Sequence, residues 1–534
     1  MKRKLLTALL CGALMLTSLA GCGQGAGNQS GTSAGSESAV KDELVFVNYR
    51  DIRDLNPHLY AGEMYAQSIL YDTLVSNTSE GYVGCLAEDW TISEDGRTYT
   101  FNIRDGVTFS DGTPCDANAI LANFNAILEN RERHTWLEMM NLLVGVSAPD
   151  DDTFVIEMSE PYYPMLTELA CIRPFAMISP NCMIDGSTKD GVNGYIGTGP
   201  YVLTDFVTDE YAVFERNENY WGEKPAIRKI TVKVIPDNQT RIMALENGEI
   251  DLIFGKNMLD ADAISQYVDS DKFTVGLSDP TSTRHIVLNT THDILGDKSV
   301  RQALQHATNR QAISEGIFYG LEPAADTLYS TTVPYCDVDL EPYAYDADEA
   351  ARLLDEAGWT MGSDGVRAKN GQKLALDLLY NSDSVTEKTI SEYLQSEYLK
   401  LGISLNIHGE EEQSYRDNMK AGNFDMVFNI CWGMPYDPQS SLAAMRAPVY
   451  GDYAAQQGLE DKAEIDQAIT DILTSTDETK RQELYTFVLT RLHEDAVYIP
   501  LTFETNKALY TSDLKGVHFG TDQYDVDFAS MYFE

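Results

Sequence analysis

Two hydrophobic periods take turns along this chain, and their alternation limits the folds open to it. Tyr99, Phe101 and Ile103 alternate with polar neighbours, as do Ile230, Val232 and Val234, which is the period-two signature of a strand. From Asp116 the period changes. Ala117, Ile120, Leu121, Phe124, Ile127 and Leu128 share one helical face, with Asp116 placed as N-cap. A second helix starts at Asp346, runs through Ala350, Ala351 and Leu354, and stops at Gly358. A third spans about 386–401, ends at Gly402 and leads into a strand at 403–407; another strand is expected at 424–430. Strands interleaved with helices predict α/β lobes. A length of 534 residues suits two to four domains, or two large lobes. There is no internal repeat, and no low-complexity tract after Val40.

The first forty residues read as an address. Met1-Lys2-Arg3-Lys4 precedes an apolar run over 5–20, too short for a membrane-spanning helix and right for a secretory signal at 1–21. Leu19-Ala20-Gly21-Cys22 resembles the bacterial lipobox, which makes Cys22 the expected lipidation site. Residues 22–41, rich in Gly, Ser, Ala and Gln, cannot bury enough surface to fold and would act as a flexible tether reaching roughly 25 Å. The chain should therefore work outside the cytoplasm, touching the cell membrane only through its lipid. The formal charge of −44 argues against nucleic acid as a partner, because phosphate binding needs clustered Lys and Arg.

Catalytic signatures are missing. There is no G-x-S-x-G elbow, no H-E-x-x-H and no Walker loop, and Gly197-Thr198-Gly199-Pro200-Tyr201 lacks the Lys of a phosphate loop. His58, His134, His285, His292, His306, His408, His493 and His518 are scattered, with no i, i+4 pair to build a metal cage. Cys85, Cys115, Cys171, Cys182, Cys336 and Cys431 form no C-x-x-C pair; Cys171 and Cys182 either pair in an oxidising compartment or stay as buried thiols. A hydrolase using two carboxylates is the weakest of the available readings, since any pair chosen would be arbitrary.

Several longer stretches carry a resemblance. Leu86-Ala87-Glu88-Asp89-Trp90 leads into Ser93-Glu94-Asp95-Gly96-Arg97-Thr98-Tyr99, then Phe101-Asn102-Ile103-Arg104-Asp105-Gly106-Val107 and Phe109-Ser110-Asp111-Gly112-Thr113-Pro114. Asn217 to Pro225 (NENYWGEKP) and Val300-Arg301-Gln302-Ala303-Leu304 follow. Together they resemble the peptide/nickel family of ABC-transporter solute-binding proteins, over essentially the whole chain from Asp42. Leu55-Asn56-Pro57-His58-Leu59-Tyr60, the run from Asn130 to Glu138, Arg173-Pro174-Phe175, Pro435-Tyr436-Asp437-Pro438 and Gln456-Gln457-Gly458-Leu459 are most similar to its nickel-importer members.

The resemblance implies a periplasmic-binding-protein-like fold of class II with an enlarged first lobe. Lobe I would take 42–284 and 503–534, lobe II 285–502, with hinge strands between them and the ligand in the cleft. It implies no enzyme activity and no permanent cofactor, but a monomer that hands its ligand to a membrane permease driven by a separate ATPase. In the nickel-type members the guest is a metal complex of small carboxylate- and imidazole-bearing chelators. Tyr60, Met64, Arg133, Trp136, Arg173, Trp432 and Tyr436 match that pocket by position. Tyr450 stands where those members carry their one metal-binding His. A phenol with a pKa near ~10 is a poor ligand for divalent nickel at neutral pH, so the chelator is expected to fill the coordination sphere. An Arg pair would repel a bare dication and grip carboxylates in bidentate fashion, so the metal should arrive as an anionic complex. His134, adjacent to Arg133, is expected to face away, because neighbouring helical side chains diverge by about 100°. The alternative guest is a di- or oligopeptide, whose amino group needs an acidic partner; Asp437 and Asp452 are the candidates.

Overall fold

A computed structural model describes residues 41–78, 81–256, 258–433 and 436–534 of the chain. The expected signal, Cys22 and all but the last residue of the tether lie outside these residues, as does Pro435. Residues 41–534 form one compact unit. Among the described residues no helix is long and apolar enough to cross a membrane.

The frame is a ten-stranded sheet: β1 (Glu43–Asn48), β2 (Tyr201–Val207), β3 (Tyr211–Arg216), β4 (Lys229–Val234), β5 (Leu252–Phe254), β6 (Phe273–Leu288), β7 (Ala375–Asn381), β8 (Ser404–Glu410), β9 (Met426–Ile430) and β10 (Tyr498–Thr511). Their order across the sheet is β2-β3-β4-β1-β5-β10-β6-β9-β7-β8. The sixth and seventh strands in that order, β10 and β6, are also the longest, with 14 and 16 residues. They pair antiparallel from Phe273↔Thr511 to Val287↔Tyr498, with irregular register between Leu277 and His285. Everything before β6 hangs on one side of this pair and nearly everything between them on the other. Two lobes connected by crossing strands are the result.

The alternating residues sit where their period requires. Tyr99, Phe101 and Ile103 are buried in the strand Thr98–Ile103 of a separate four-stranded sheet, packed with Phe124, Phe154 and Phe175. Ile230 and Val232 are buried in β4 beside Leu44, Phe46, Phe214 and Phe528, so the C-terminal segment completes the first lobe's core. The second lobe has two cores of its own. One gathers Leu304, Leu376, Ile390 and Tyr398, the other Leu442, Ile469, Tyr485 and Val488.

The helix starts are chemically determined. Asp116, Asp346 and Ser384 each accept a backbone N–H in the first turn of Ala117–Glu129, Ala347–Glu356 and Val385–Lys400. The chain reverses after the last of these at Gly402, whose φ of 80° a residue with Cβ rarely adopts. All six described cysteines are buried and free, Cys171 and Cys182 included.

Candidate functional site

A cavity of about 790 Å³ lies between the lobes, in the size range of small-molecule sites. Met64, Trp136 and Arg173 line it from the first lobe, and Trp432, Tyr436 and Tyr450 from the second. Tyr60 and Arg133 are not among its lining residues. Tyr60 stands directly behind the wall, and Arg133 is exposed to solvent.

Local backbone explains these placements. Met64 opens the helix Met64–Leu70. Trp136 follows a single 3₁₀ turn over Arg131–His134. Arg173 interrupts its helical turn with an extended backbone, φ −115° and ψ 125°. Trp432 and Tyr436 follow the end of β9, and Tyr450 precedes the helix Gly451–Gln456.

One aromatic pair meets across the cleft and another lies within its second-lobe wall. Trp136 and Tyr436 pack edge to face with centroids 5.7 Å apart, and Trp432 does the same with Tyr450 at 5.7 Å. Trp136 is fixed from behind: its Nε1 donates to the Tyr60 hydroxyl at 2.8 Å, and that hydroxyl lies 2.6 Å from His134 Nδ1. With the Trp136 N–H already received, the Tyr60 hydroxyl has its own proton to donate to Nδ1 in the tautomer that leaves Nδ1 bare. Burial and the charge of Arg133 push His134 down to about 4, which keeps the ring neutral for that role. As expected, His134 diverges from the exposed Arg133 and is not among the cavity's lining residues; it turns inward behind Trp136 and orients that wall through Tyr60. The turn holding it is 3₁₀, and one turn gives no amphipathic pattern from which its direction could be read.

Charge is arranged in two ways around the cavity. Arg173 donates through Nη1 to the Gly62 carbonyl at 3.2 Å and lies 5.9 Å from the Tyr60 ring centroid. Among the described residues no carboxylate comes within ion-pair distance of it. Burial lowers its pKa, but a guanidinium stays charged. Asp522, close enough to feel that charge, is itself pushed up to about 7 by burial.

Lys256 and Arg284 also line the cavity, and both are paired with Glu504 of β10. Ser282 Oγ donates to Glu504 at 2.7 Å. Burial alone would raise Glu504; Lys256 and Arg284 hold it down to about 2. Behind them Glu322 pairs with Lys507 at 3.3 Å and faces Arg284 at 3.8 Å. The crossing strands thus carry an ion-paired floor in which three cations share two carboxylates. Nothing in the sequence motifs announced it. The one available signal was an acid, Glu504, inside a long apolar strand.

The candidate peptide-amine acceptors do not face the cavity. Asp437 is buried and accepts the Gly433 N–H at 2.7 Å, and Asp452 accepts from Asn429 at 2.7 Å. Glu63, Glu387 and Glu412 line the cavity instead. Glu63 pairs with Arg50 at 2.6 Å and Glu412 with Arg416. Glu387 accepts the Asn381 N–H at 2.9 Å and, among the described residues, has no cation within ion-pair distance. Among the described residues no cluster of three or more His, Cys, Asp or Glu could hold a metal ion.

This geometry has close relatives. Residues 81–452 match the family described as bacterial extracellular solute-binding proteins, family 5. The chain belongs to that family. Over 499 residues it is 41% identical to the nickel-binding periplasmic protein of Escherichia coli K12, an alignment covering 92% of this chain and 95% of that protein. The crystal structure of NikA from Brucella suis in complex with Fe(III)-EDTA superposes with a TM-score of 0.89 at 43% identity, covering 92% of this chain and all of that one. The dipeptide-binding protein of E. coli K12 is 27% identical over 89% of this chain and 91% of its own length. As a family-5 solute-binding protein, this chain is an extracytoplasmic component of an ABC importer, working with a permease and its ATPase. It binds a transported solute and is not an enzyme.

Proposed function

We propose that this chain captures nickel, or a neighbouring transition metal, as an anionic small-molecule chelate and delivers it to the permease. The observation that carries this reading is Arg173, a cation without a carboxylate of its own in a cavity walled by indole and phenol rings. Such a group donates two parallel hydrogen bonds to a carboxylate, strengthened by partial burial. The relatives named for nickel binding and for an iron–EDTA complex support it. With no histidine on the cavity wall and Tyr450 in place of a metal-binding one, the chelator supplies the metal's ligands.

The ligand site takes Met64, Trp136, Arg173, Trp432, Tyr436 and Tyr450 as wall residues, Tyr60 as the support of Trp136, and Arg133 as a rim charge. Lobe I comprises 42–284 and 503–534, lobe II 285–502. The protein is a monomer tethered through a lipid on Cys22. A guest touching Arg173 on one lobe and Trp432 on the other stabilises the closed form, because only that form offers both contacts. Shifting closure from 1:99 to 99:1 takes about 5.5 kcal/mol of differential affinity, within reach of charge-assisted hydrogen bonds plus aromatic burial.

Titration with nickel alone in chelator-free buffer and with a nickel–L-histidine complex tests the reading. Tight binding of the complex and weak binding of the bare ion is expected; the reverse would overturn it. A peptide guest is the second reading, favoured by one observation: Glu387, on the cavity wall without a cation, could receive an amino group.

A further inference from the structure

We infer that Tyr163 is a positioning residue for guest capture, a latch between the lobes that lies outside the cavity and sets how readily the clamp closes. The inference rests on the clamp reading above. Tyr163 follows the strand Thr153–Met158 of the first lobe and reaches onto the second. Its N–H donates to the Leu473 carbonyl at 3.2 Å. Its hydroxyl and that of Tyr335 lie 2.9 Å apart and share the carboxylate of Glu478, Tyr335 at 2.5 Å. Its ring covers the guanidinium of Arg481, with 3.4 Å from the central carbon to the ring centroid.

The socket on the second lobe is built for this contact. Arg481 is fully buried, donates to the Ile472 carbonyl, and leaves Nη2 without a partner. Among the described residues no carboxylate lies within ion-pair distance of it. Ring faces compensate its charge: Tyr335 at 5.0 Å and Tyr485 at 5.7 Å from one lobe, Tyr163 from the other. Tyr335 and Tyr485 stack in parallel, with centroids 4.7 Å apart. Withdrawing Tyr163 uncovers a cation that has no carboxylate within ion-pair distance among the described residues, so opening the lobes at this edge has a cost that the guest does not set. A second crossing contact lies four residues along the chain, where Gln439 Nε2 donates to Thr167 Oγ1 at 3.3 Å.

None of these residues lines the cavity. The latch therefore acts on the fraction of closed protein and not on the guest. Apparent affinity scales with that fraction, so weakening the latch should weaken every guest by one common factor.

The test compares wild type, Tyr163→Phe and Tyr163→Ala by calorimetric titration with nickel–L-histidine and ferric EDTA complexes, and by small-angle scattering without guest. Tyr163→Ala should lose about tenfold for both chelates and Tyr163→Phe about threefold. The ratio between the two chelates should stay constant, and the radius of gyration should grow. Wild-type affinity in Tyr163→Ala would overturn the latch, as would a changed ratio, which would mean that Tyr163 meets the guest. If Tyr163→Ala does not fold, Tyr163→Phe and Glu478→Gln, which keep the packing, decide by the same criteria. Loss of binding in Arg173→Ala alongside a silent Tyr163→Ala breaks only the latch; a silent Arg173→Ala breaks the site reading.

Discussion

Arg173 and Arg284 line the same cavity, yet Arg284 shares Glu504 with Lys256 and faces Glu322, while Arg173 has a backbone carbonyl and an aromatic ring. The contrast separates two uses of buried charge. Arg284 and Lys256 sit on or beside the crossing strands and share Glu504, so each already has an ion-pair partner that holds the joint together. Arg173 sits on an interrupted helical turn of the first lobe, and its charge is available to a guest. Among the described residues that line the cavity, Arg173 is the cation without an ion-pair partner.

The largest effect should come from breaking the ion-paired side. Glu504→Gln leaves Lys256 and Arg284 without their shared acid, and truncating one partner of a buried ion network costs about 3–5 kcal/mol. Thermal unfolding should show a clear drop in midpoint, and an unchanged midpoint would erase the distinction between floor and wall. The pH dependence has a definite sign. Glu504 is depressed in the folded state, so its contribution is complete above the ordinary glutamate value of 4.5 and is lost as pH falls toward about 2. The variant should lack that part of the acid limb.

On the guest-facing side, Trp136→Ala should weaken chelate binding by about tenfold, since it removes both the ring against Tyr436 and the group that Tyr60 holds. His134→Ala should produce a smaller loss of the same kind, about threefold, by freeing Tyr60. Equal affinities in both variants would remove the aromatic wall from the account. The smallest effect concerns Asp522. Above its value of about 7 it is ionised near Arg173 and competes with an anionic guest; below it the carboxyl is neutral. Affinity should therefore fall by about twofold to threefold from pH 6 to pH 8, and Asp522→Asn should flatten the profile.

Much of the fold was legible because it rests on local chemistry. The N-caps at Asp116 and Asp346, the stop at Gly402 and the alternation around Phe101 and Ile230 are each readable within a dozen residues. Met64, Trp136, Arg173, Trp432, Tyr436 and Tyr450, picked by resemblance, do converge on one cavity. What escaped was long-range. The Glu504–Arg284 pair joins positions 220 residues apart, and Tyr163 meets Glu478 across 315. No spacing rule links such partners. Arg133 and Arg173 looked equivalent as residue types; only the exposed turn around the first and the interrupted turn around the second separate them.

The central claim is that the unpaired guanidinium of Arg173 holds an anionic guest. Calorimetric titration of a nickel–L-histidine complex into wild type, Arg173→Ala and Arg133→Ala tests it most directly. The account predicts at least a tenfold loss for Arg173→Ala, equivalent to about 1.4 kcal/mol or more, and no more than about threefold for the exposed Arg133→Ala. Wild-type affinity in Arg173→Ala, with the protein folded, would contradict it.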